Sequence, residues 1–385
     1  MEKTHGVVVD KKFITLMVLV CLALGGGFAL IYLDLNASFN DLKTNFNDLK
    51  SNYATLWDQM QELQGLIGSK QQSQIANLTA VQIYNRTKDS VVLVSCTLSN
   101  GSIVEGSGFV FSSYNSGGYI ITNNHVVEGT TSQSVVFYNG TTVTATIIGR
   151  DVYSDLAVIR VSSLPKEALP LVRGNSTQLM VGEPVYAIGN PFGLAGSMTS
   201  GIVSQVGRVI RLGDLGVPAP YGNYSIVDLI QTDAAVNPGN SGGPLLDNLG
   251  LVVGMTFAIE TAGGVNGFIG VGYAIPSMII YRVINSLISN GSYSHPYMGI
   301  GYNPNYVGGL LVTSVNNTGP AHNAGLQPGD IVTKVDGITI SRAEDLLVYL
   351  ELYKSPGDVV QLTVVRNNDF SSPLNISLTL GARPQ

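Results

Sequence analysis

Cysteine is almost missing from this chain of 385 residues: Cys21 lies in an apolar run and Cys96 closes the strand-like segment SVVLVSC. Two thiols in such different settings predict no intrachain disulfide, so the fold must stand on its apolar core. Charge is scarce as well. Lys, Arg, Asp and Glu make up 12% of the residues and the net charge is −6, where a globular chain carries about a quarter charged residues. Without a basic stripe there is no electrostatic footprint for nucleic acid, which is not expected as a partner. The four histidines are scattered and no Cys/His spacing is present, so neither a metal site nor a cofactor is expected. Few carboxylates also means few groups whose protonation unfolds the chain, which raises the expectation of an acid-tolerant exterior domain.

What is present begins with one long hydrophobic stretch. Residues 13–33, FITLMVLVCLALGGGFALIYL, carry no charge and are long enough to cross roughly 30 Å of hydrocarbon as a helix. Lys3, Lys11 and Lys12 precede the stretch and the first charge after it is Asp34. The positive-inside bias then predicts a cytoplasmic tail (1–12), a single membrane pass, and an extracytoplasmic location for everything that follows. A cleaved signal peptide, using Ala23-Leu24-Gly25, is the competing reading and exports the same residues. Ten N-x-Ser/Thr sequons, from Asn36 to Asn375, all lie beyond the apolar run, so a glycoprotein is expected where the host has the machinery.

A heptad pattern follows. Phe39, Phe46, Tyr53, Met60 and Ile67 fall seven apart, and Leu42, Leu49, Leu56 and Leu63 form the second register. Residues 34–69 are therefore expected to be a coiled-coil stalk, which favours self-association. From about Ala80 the pattern changes to short β-like runs broken by Gly, Asn and Pro, such as SGFVFSS, GYIITN, LAVIRV and LVVGMTFAI. About twelve such runs at this spacing read as a mainly β sandwich or pair of barrels. PSMIIYRVINSLISNG then reads as a helix opened near Pro276 and stopped by Gly291. Another unit begins at about residue 292 and runs to 385, with a helix expected over Arg342–Leu352.

The sharpest local feature is Asn237-Pro238-Gly239-Asn240-Ser241-Gly242-Gly243-Pro244. A serine nucleophile needs an exposed oxygen on a tight turn, with backbone N–H groups aimed at the developing oxyanion, and flanking glycines permit that backbone. Two other residues complete a candidate constellation. ITNNHVV places His125 after an apolar strand, where an imidazole acts as general base. SDLAVIRV places Asp155 at the start of another, where a carboxylate orients that imidazole. Asp151 is the rival acid, and Asp233 reads as structural. The loop also fits G-x-S-x-G, but a strand-turn-strand pattern follows Ser241 where a nucleophile elbow needs a helix.

TNNHVV, SDLAVI, AIGNPFGL, TSGIVSQVGR, QTDAAVNPGNSGGPL and GVGYAIPS occur in the order found in the HtrA (DegP-like) family of membrane-anchored trypsin-fold serine proteases, which the chain resembles over roughly Ala80 to Pro384. Downstream, YMGI, GPAHNAGLQPGDIVTKVDGITI and LTLGARP resemble that family's PDZ domain. The resemblance implies a trypsin-like double six-stranded β-barrel over 80–288 and a PDZ domain over 292–385. It implies a triad of His125, Asp155 and Ser241, with an oxyanion hole from the N–H groups of Gly239 and Ser241. Substrate backbone would pair with a strand that includes Ile269, Gly270, Val271, Gly272 and Tyr273. The loop Tyr297, Met298, Gly299 and Ile300 would capture a peptide C-terminus by β-strand addition, although His295 stands before it where Lys or Arg is usual. Assembly as a homotrimer is also implied.

Two departures stand out: the coiled coil is an addition, and the segment Val209–Asp228 is longer than the family's usual loop. The expected function is an endopeptidase that clears misfolded or unfolded extracytoplasmic polypeptides. The alternative is a surface-anchored holdase or scaffold that binds exposed termini without cleaving them.

Overall fold

The computed structural model describes residues 78–190, 196–215, 222, 224–257 and 270–384. All belong to one compact unit, Asn77–Gln385. The expected membrane segment 13–33, the stalk 34–69, most of the segment between Leu215 and Tyr224, and Ile269 lie outside the described residues. Among the described residues no helix is long and apolar enough to cross a membrane.

The unit opens with helix α1 (Ala80–Thr87), where β-like runs were expected. Thr79 and Gln82 account for it: they form a reciprocal capping box that satisfies the first free N–H groups. Six strands follow: β1 (Val91–Leu98), β2 (Ile103–Tyr114), β3 (Gly117–Thr122), β4 (Thr130–Val136), β5 (Thr142–Asp151) and β6 (Leu156–Val161). They close in the order β1-β2-β3-β6-β5-β4. The short helix α2 (Asn124–Val127) sits between β3 and β4. A second closed barrel takes β7 (Pro184–Gly189), β8 (Ser197–Arg211), β9 (Ser225–Thr232), β10 (Pro244–Leu246), β11 (Val252–Phe257) and β12 (Gly272–Pro276), in the order β10-β11-β12-β9-β8-β7. Closure leaves no open sheet edge, so each ladder satisfies its own backbone.

Why two barrels pack against each other follows from period-2 alternation. In β2, β3 and β6, Val110, Ile120 and Ile159 fill the first barrel, while their neighbours Phe109, Ile121 and Val158 point outward. In β7, β10, β11 and β12 the same split sends Ala187, Leu245, Val253 and Ala274 inward. Ile188, Leu246, Val252 and Ile275 point out and join Phe109, Ile121 and Val158 in one buried cluster. Helix α3 (Ser277–Asn290) adds Ile279, Ile280, Val283, Ile284 and Leu287 to it. Its ends are as the sequence predicts: Pro276 precedes it and Gly291 terminates it at φ 76°. Cys96 is buried as a free thiol inside the first barrel.

The C-terminal residues build a sheet ordered β14-β15-β16-β18-β19, from β14 (Ile300–Tyr302), β15 (Leu310–Val315), β16 (Ile331–Val335), β18 (Val359–Val365) and β19 (Leu374–Thr379). The short β17 (Ile338–Thr339) pairs with β16. Strand β13 (Pro296–Tyr297) pairs with β20 (Gly381–Ala382), fastening the entry of this unit to its exit. Helix α4 (Pro320–Asn323) and helix α5 (Ala343–Tyr353) complete it. Leu346 and Leu350 of α5 share a core with Leu310, Val332 and Leu362.

Candidate active site

His125 lies in α2, just past the end of β3 at Thr122. Asp155 sits in the turn before β6, at φ 52°. The Asp155 carbonyl accepts from Asn124 N–H at 3.1 Å and from Asn123 Nδ2 at 3.0 Å, which ties the turn to the base of α2. Its carboxylate accepts the His125 backbone N–H at 2.9 Å through Oδ1 and lies 2.7 Å from His125 Nδ1 through Oδ2. An ionised carboxylate only accepts, so Nδ1 carries a proton, and in the neutral ring Nε2 then keeps the lone pair. Burial pulls the His125 pKa down, but the charge of Asp155 and its hydrogen bond, with help from Glu128, outweigh burial and leave it above the ordinary 6.5.

Asp151 is elsewhere. Its Oδ2 accepts from Ser154 N–H at 2.9 Å, and from the Ser154 hydroxyl, and faces His295 Nε2 at 2.9 Å. The structure thus pairs Asp155, and not its rival, with His125. Asp233 caps the Ile202 N–H at 2.7 Å.

Ser241 stands in the loop that leads into β10 of the second barrel. Asn240 N–H donates to Asn237 O at 2.9 Å, and Gly239, at φ 96°, occupies the third place of that turn. Pro at the second place and positive φ at the third make this a type II turn, which fixes the sense of the Pro238–Gly239 peptide and hence of the Gly239 N–H. The loop is held from both barrels. On the second, Gly242 N–H donates to Thr256 O at 3.0 Å and Thr256 N–H to Gly243 O at 2.8 Å. On the first, Ser107 of β2 donates its N–H to Ser241 O at 2.7 Å and its hydroxyl to Gly239 O at 2.6 Å. That hydroxyl accepts Asn190 N–H at 2.8 Å, and the Ser107 carbonyl accepts the Thr122 hydroxyl at 2.7 Å. A side chain on Gly242 would run into the Ser107 carbonyl, so the clamp requires glycine there. The His125 ring meets Phe257 of the second barrel edge-on, centroids 6.1 Å apart. Ser107 was not singled out in the sequence. Its one local signal is that Gly106 and Gly108 flank it, and a Cβ on either would collide with Val126 or Ile120.

Of the expected substrate-pairing strand, Gly272 and Tyr273 begin β12 and pair with Thr232 and Gln231 of β9. Gly270 and Val271 precede the strand and are exposed, Gly270 at φ 93°. Ile269 falls outside the described residues.

In the C-terminal unit, Tyr297 belongs to β13, Met298 is buried, Gly299 turns at φ 79° and Ile300 opens β14. A cavity of about 110 Å³ has Met298, Gly299 and Ile300 on one side, Leu346 and Leu350 on a second, and Tyr224, Ser225 and Val227 of the barrel unit on a third. His295 does not serve this cavity. It is 2% exposed and both ring nitrogens are engaged by carboxylates, so it leaves peptide recognition to other groups.

Residues 106–255 match the family of trypsin-like peptidase domains and residues 296–378 match the PDZ domain. Protease Do-like 1, chloroplastic, of Arabidopsis thaliana is 34% identical over 344 residues, covering 83% of this chain and 75% of that protein. A probable periplasmic serine endoprotease DegP-like of Brucella suis is 38% identical over 293 residues, 73% of this chain and 53% of that protein. The chain thus spans about half the length of this DegP-like relative. Among solved structures, the HtrA-type protease AlgW with tripeptide superposes with TM-score 0.66 at 29% identity, covering 80% of this chain and 98% of that one.

Replacing Gly239 by Ala places a Cβ on a backbone at φ 96°, which costs about 1–2 kcal/mol in that region or reverses the peptide. If the Gly239 N–H is an oxyanion donor, peptide hydrolysis by Gly239→Ala should fall about 10²–10³-fold in kcat, the loss seen when one such donor is removed, with KM little changed. Steady-state kinetics on a short chromogenic peptide checks it.

Proposed function

Because the chain belongs to the HtrA family of trypsin-like serine proteases, we propose that it is an endopeptidase whose triad is His125, Asp155 and Ser241. The observation that carries this reading is the 2.7 Å contact of Asp155 with His125 Nδ1, which leaves Nε2 free to accept a proton. In the proposed cycle Ser241 Oγ attacks the peptide carbonyl while His125 Nε2 takes its proton. The Nδ1–H to Asp155 bond holds the ring in place and stabilises the imidazolium. Charge builds on the carbonyl oxygen, where the N–H groups of Gly239 and Ser241 form the oxyanion hole. His125 returns the proton to the leaving amine, and water repeats the sequence on the acyl-enzyme. Every proton and charge is handled by groups of the chain itself.

The substrate class is read from the company the site keeps. Extended polypeptide suits the exposed Gly270 and Val271, which lead into β12, and folded proteins do not present such segments. The Tyr297–Ile300 loop, with the apolar cavity behind it, suits an apolar peptide C-terminus added as a strand. One wall of that cavity belongs to the barrel unit, so a peptide seated there touches both units. Residues 13–33 are proposed to anchor the chain by one membrane pass and 34–69 to tie protomers into a homotrimer. Their support is the uncharged run and the heptad repeat, together with the periplasmic location in the name of the Brucella relative. The sequons extend the same reading to a glycosylated exterior.

Two measurements follow. Ser241→Ala should leave fold and assembly intact and lower casein cleavage by the order of 10⁴-fold or more. Substantial cleavage by that variant contradicts the assignment of Ser241 as nucleophile, whereas a parent that binds casein without cleaving it favours the non-proteolytic holdase. The second concerns pH. His125 is the base only when neutral, and its pKa lies above 6.5, so kcat/KM should rise with pH through a midpoint above 6.5 and be low in acid. A midpoint below 6.5 would show that Asp155 does not hold His125 as described.

A further inference from the structure

The group the proposed mechanism leaves unused is His295. It lies in the segment that joins α3 to β13, and it is 2% exposed. Its Nε2 is 2.9 Å from Asp151 Oδ2 and its Nδ1 is 2.6 Å from Glu351 Oε1. Asp151 ends β5 in the first barrel and Glu351 lies on α5 of the C-terminal unit. A single imidazole therefore joins two carboxylates from two units. Both contacts are donations only if the ring carries both protons. Tyr153 and Tyr293 meet the ring edge-on at 5.3 and 4.7 Å and close it off from water. Arg383 lies 3.8 Å from Glu351 Oε2 and over the rings of Tyr153 and Tyr224. Arg282 reaches the Tyr293 hydroxyl at 2.6 Å.

The Asp151 end of this bridge leads to the triad. The Asp151 carboxylate holds both the N–H and the hydroxyl of Ser154. Ser154 is the immediate neighbour of Asp155, whose φ of 52° makes its carboxylate direction depend on that turn. Remove the cation, and Asp151 becomes a buried charge without its partner, which it relieves by taking a proton or by moving. Either change loosens its grip on Ser154.

We propose that His295 is a positioning residue for the catalytic acid. By holding Asp151 it fixes the turn on which Asp155 stands. By holding Glu351 with its other nitrogen it makes the geometry of that turn depend on the docked C-terminal unit. The inference rests on Asp155 being the triad acid. It also gives the dependence a pH range. Burial disfavours the charged ring, but the charges of Asp151 and Glu351 outweigh it and raise the His295 pKa from 6.5 to about 9. Burial opposes the Asp151 charge too, and His295 with the Ser154 hydrogen bonds holds its pKa below the ordinary 3.8. The stabilisation through His295 is full below pH 6.5 and lost as the pH rises through about 9. That through Asp151 is present above pH 3.8 and lost in stronger acid.

The test uses the full chain and the variants Glu351→Gln, His295→Gln and the double variant, with kcat and KM measured on a short chromogenic peptide from pH 6 to 10. Glu351→Gln keeps size and shape and lies on the C-terminal unit, so it decides the matter even if His295→Gln does not fold. Each single variant is expected to lower kcat on the order of tenfold, with KM changed by less than about twofold. The double variant should be no worse than the poorer single one, because both act through one path. The parent should lose kcat as the pH passes about 9, and in Glu351→Gln that limb should move to lower pH, since one raising charge is gone. An active parent with kcat and alkaline limb unchanged in Glu351→Gln overturns the inference, whatever happens to the melting temperature, and leaves the protease reading intact. A parent without turnover at any pH overturns the protease reading and this inference with it.

Discussion

Everything in the candidate site hangs on the way Ser107 of the first barrel grips the Gly239–Ser241 loop of the second. Its N–H, hydroxyl and carbonyl make four hydrogen bonds, two of them to the loop itself. Three of them join buried residues, where an unpaired partner costs about 1–3 kcal/mol, and the one to Gly239 is partly buried. The loop cannot shift relative to His125 without breaking several at once. The apolar cluster shared by the barrels brings the two halves together, but hydrophobic contact is not directional. Direction comes from the Ser107 bonds.

A second constraint runs from the other side. The turn Asp151–Asp155 is pinned to α2 by Asn123 and Asn124 and to the C-terminal unit through His295. Three segments that are distant in sequence thus meet at one carboxylate direction. Serine chemistry of this type needs hydrogen-bond geometry held to a fraction of an ångström, and each of the three segments supplies one restraint. The C-terminal unit is therefore more than a peptide-binding appendage, because its helix α5 takes part in holding the turn that orients Asp155.

Much of this could be read from the residues because the signals are local. Alternating runs such as GYIIT and LAVIRV encode both barrel interior and barrel interface, and Pro276 and Gly291 mark the ends of α3. His125, Asp155 and Ser241 stand in short motifs whose neighbours fix their backbone. What could not be read depends on partners far along the chain. Ser107 finds Gly239 across 132 positions, and Asp151 finds His295 across 144. No periodicity links such pairs, so in the sequence His295 reads only as the residue that stands before the peptide loop, whereas the fold turns it inward. The same holds at smaller scale for α1, where two polar residues forming a capping box outweigh weak β-like patterning. The strands β8 and β9 also reach into the segment Val209–Asp228, which reads as a long loop because its Gly and Pro residues interrupt the alternation.

Ser241 is proposed to be the activated nucleophile. Fluorophosphonate labelling of the purified protein, followed by peptide mass mapping, tests it directly. One adduct per chain is expected, located on Ser241, with casein cleavage lost in proportion to the fraction labelled. An adduct on a different residue, or cleavage that persists when Ser241 is fully labelled, would contradict it.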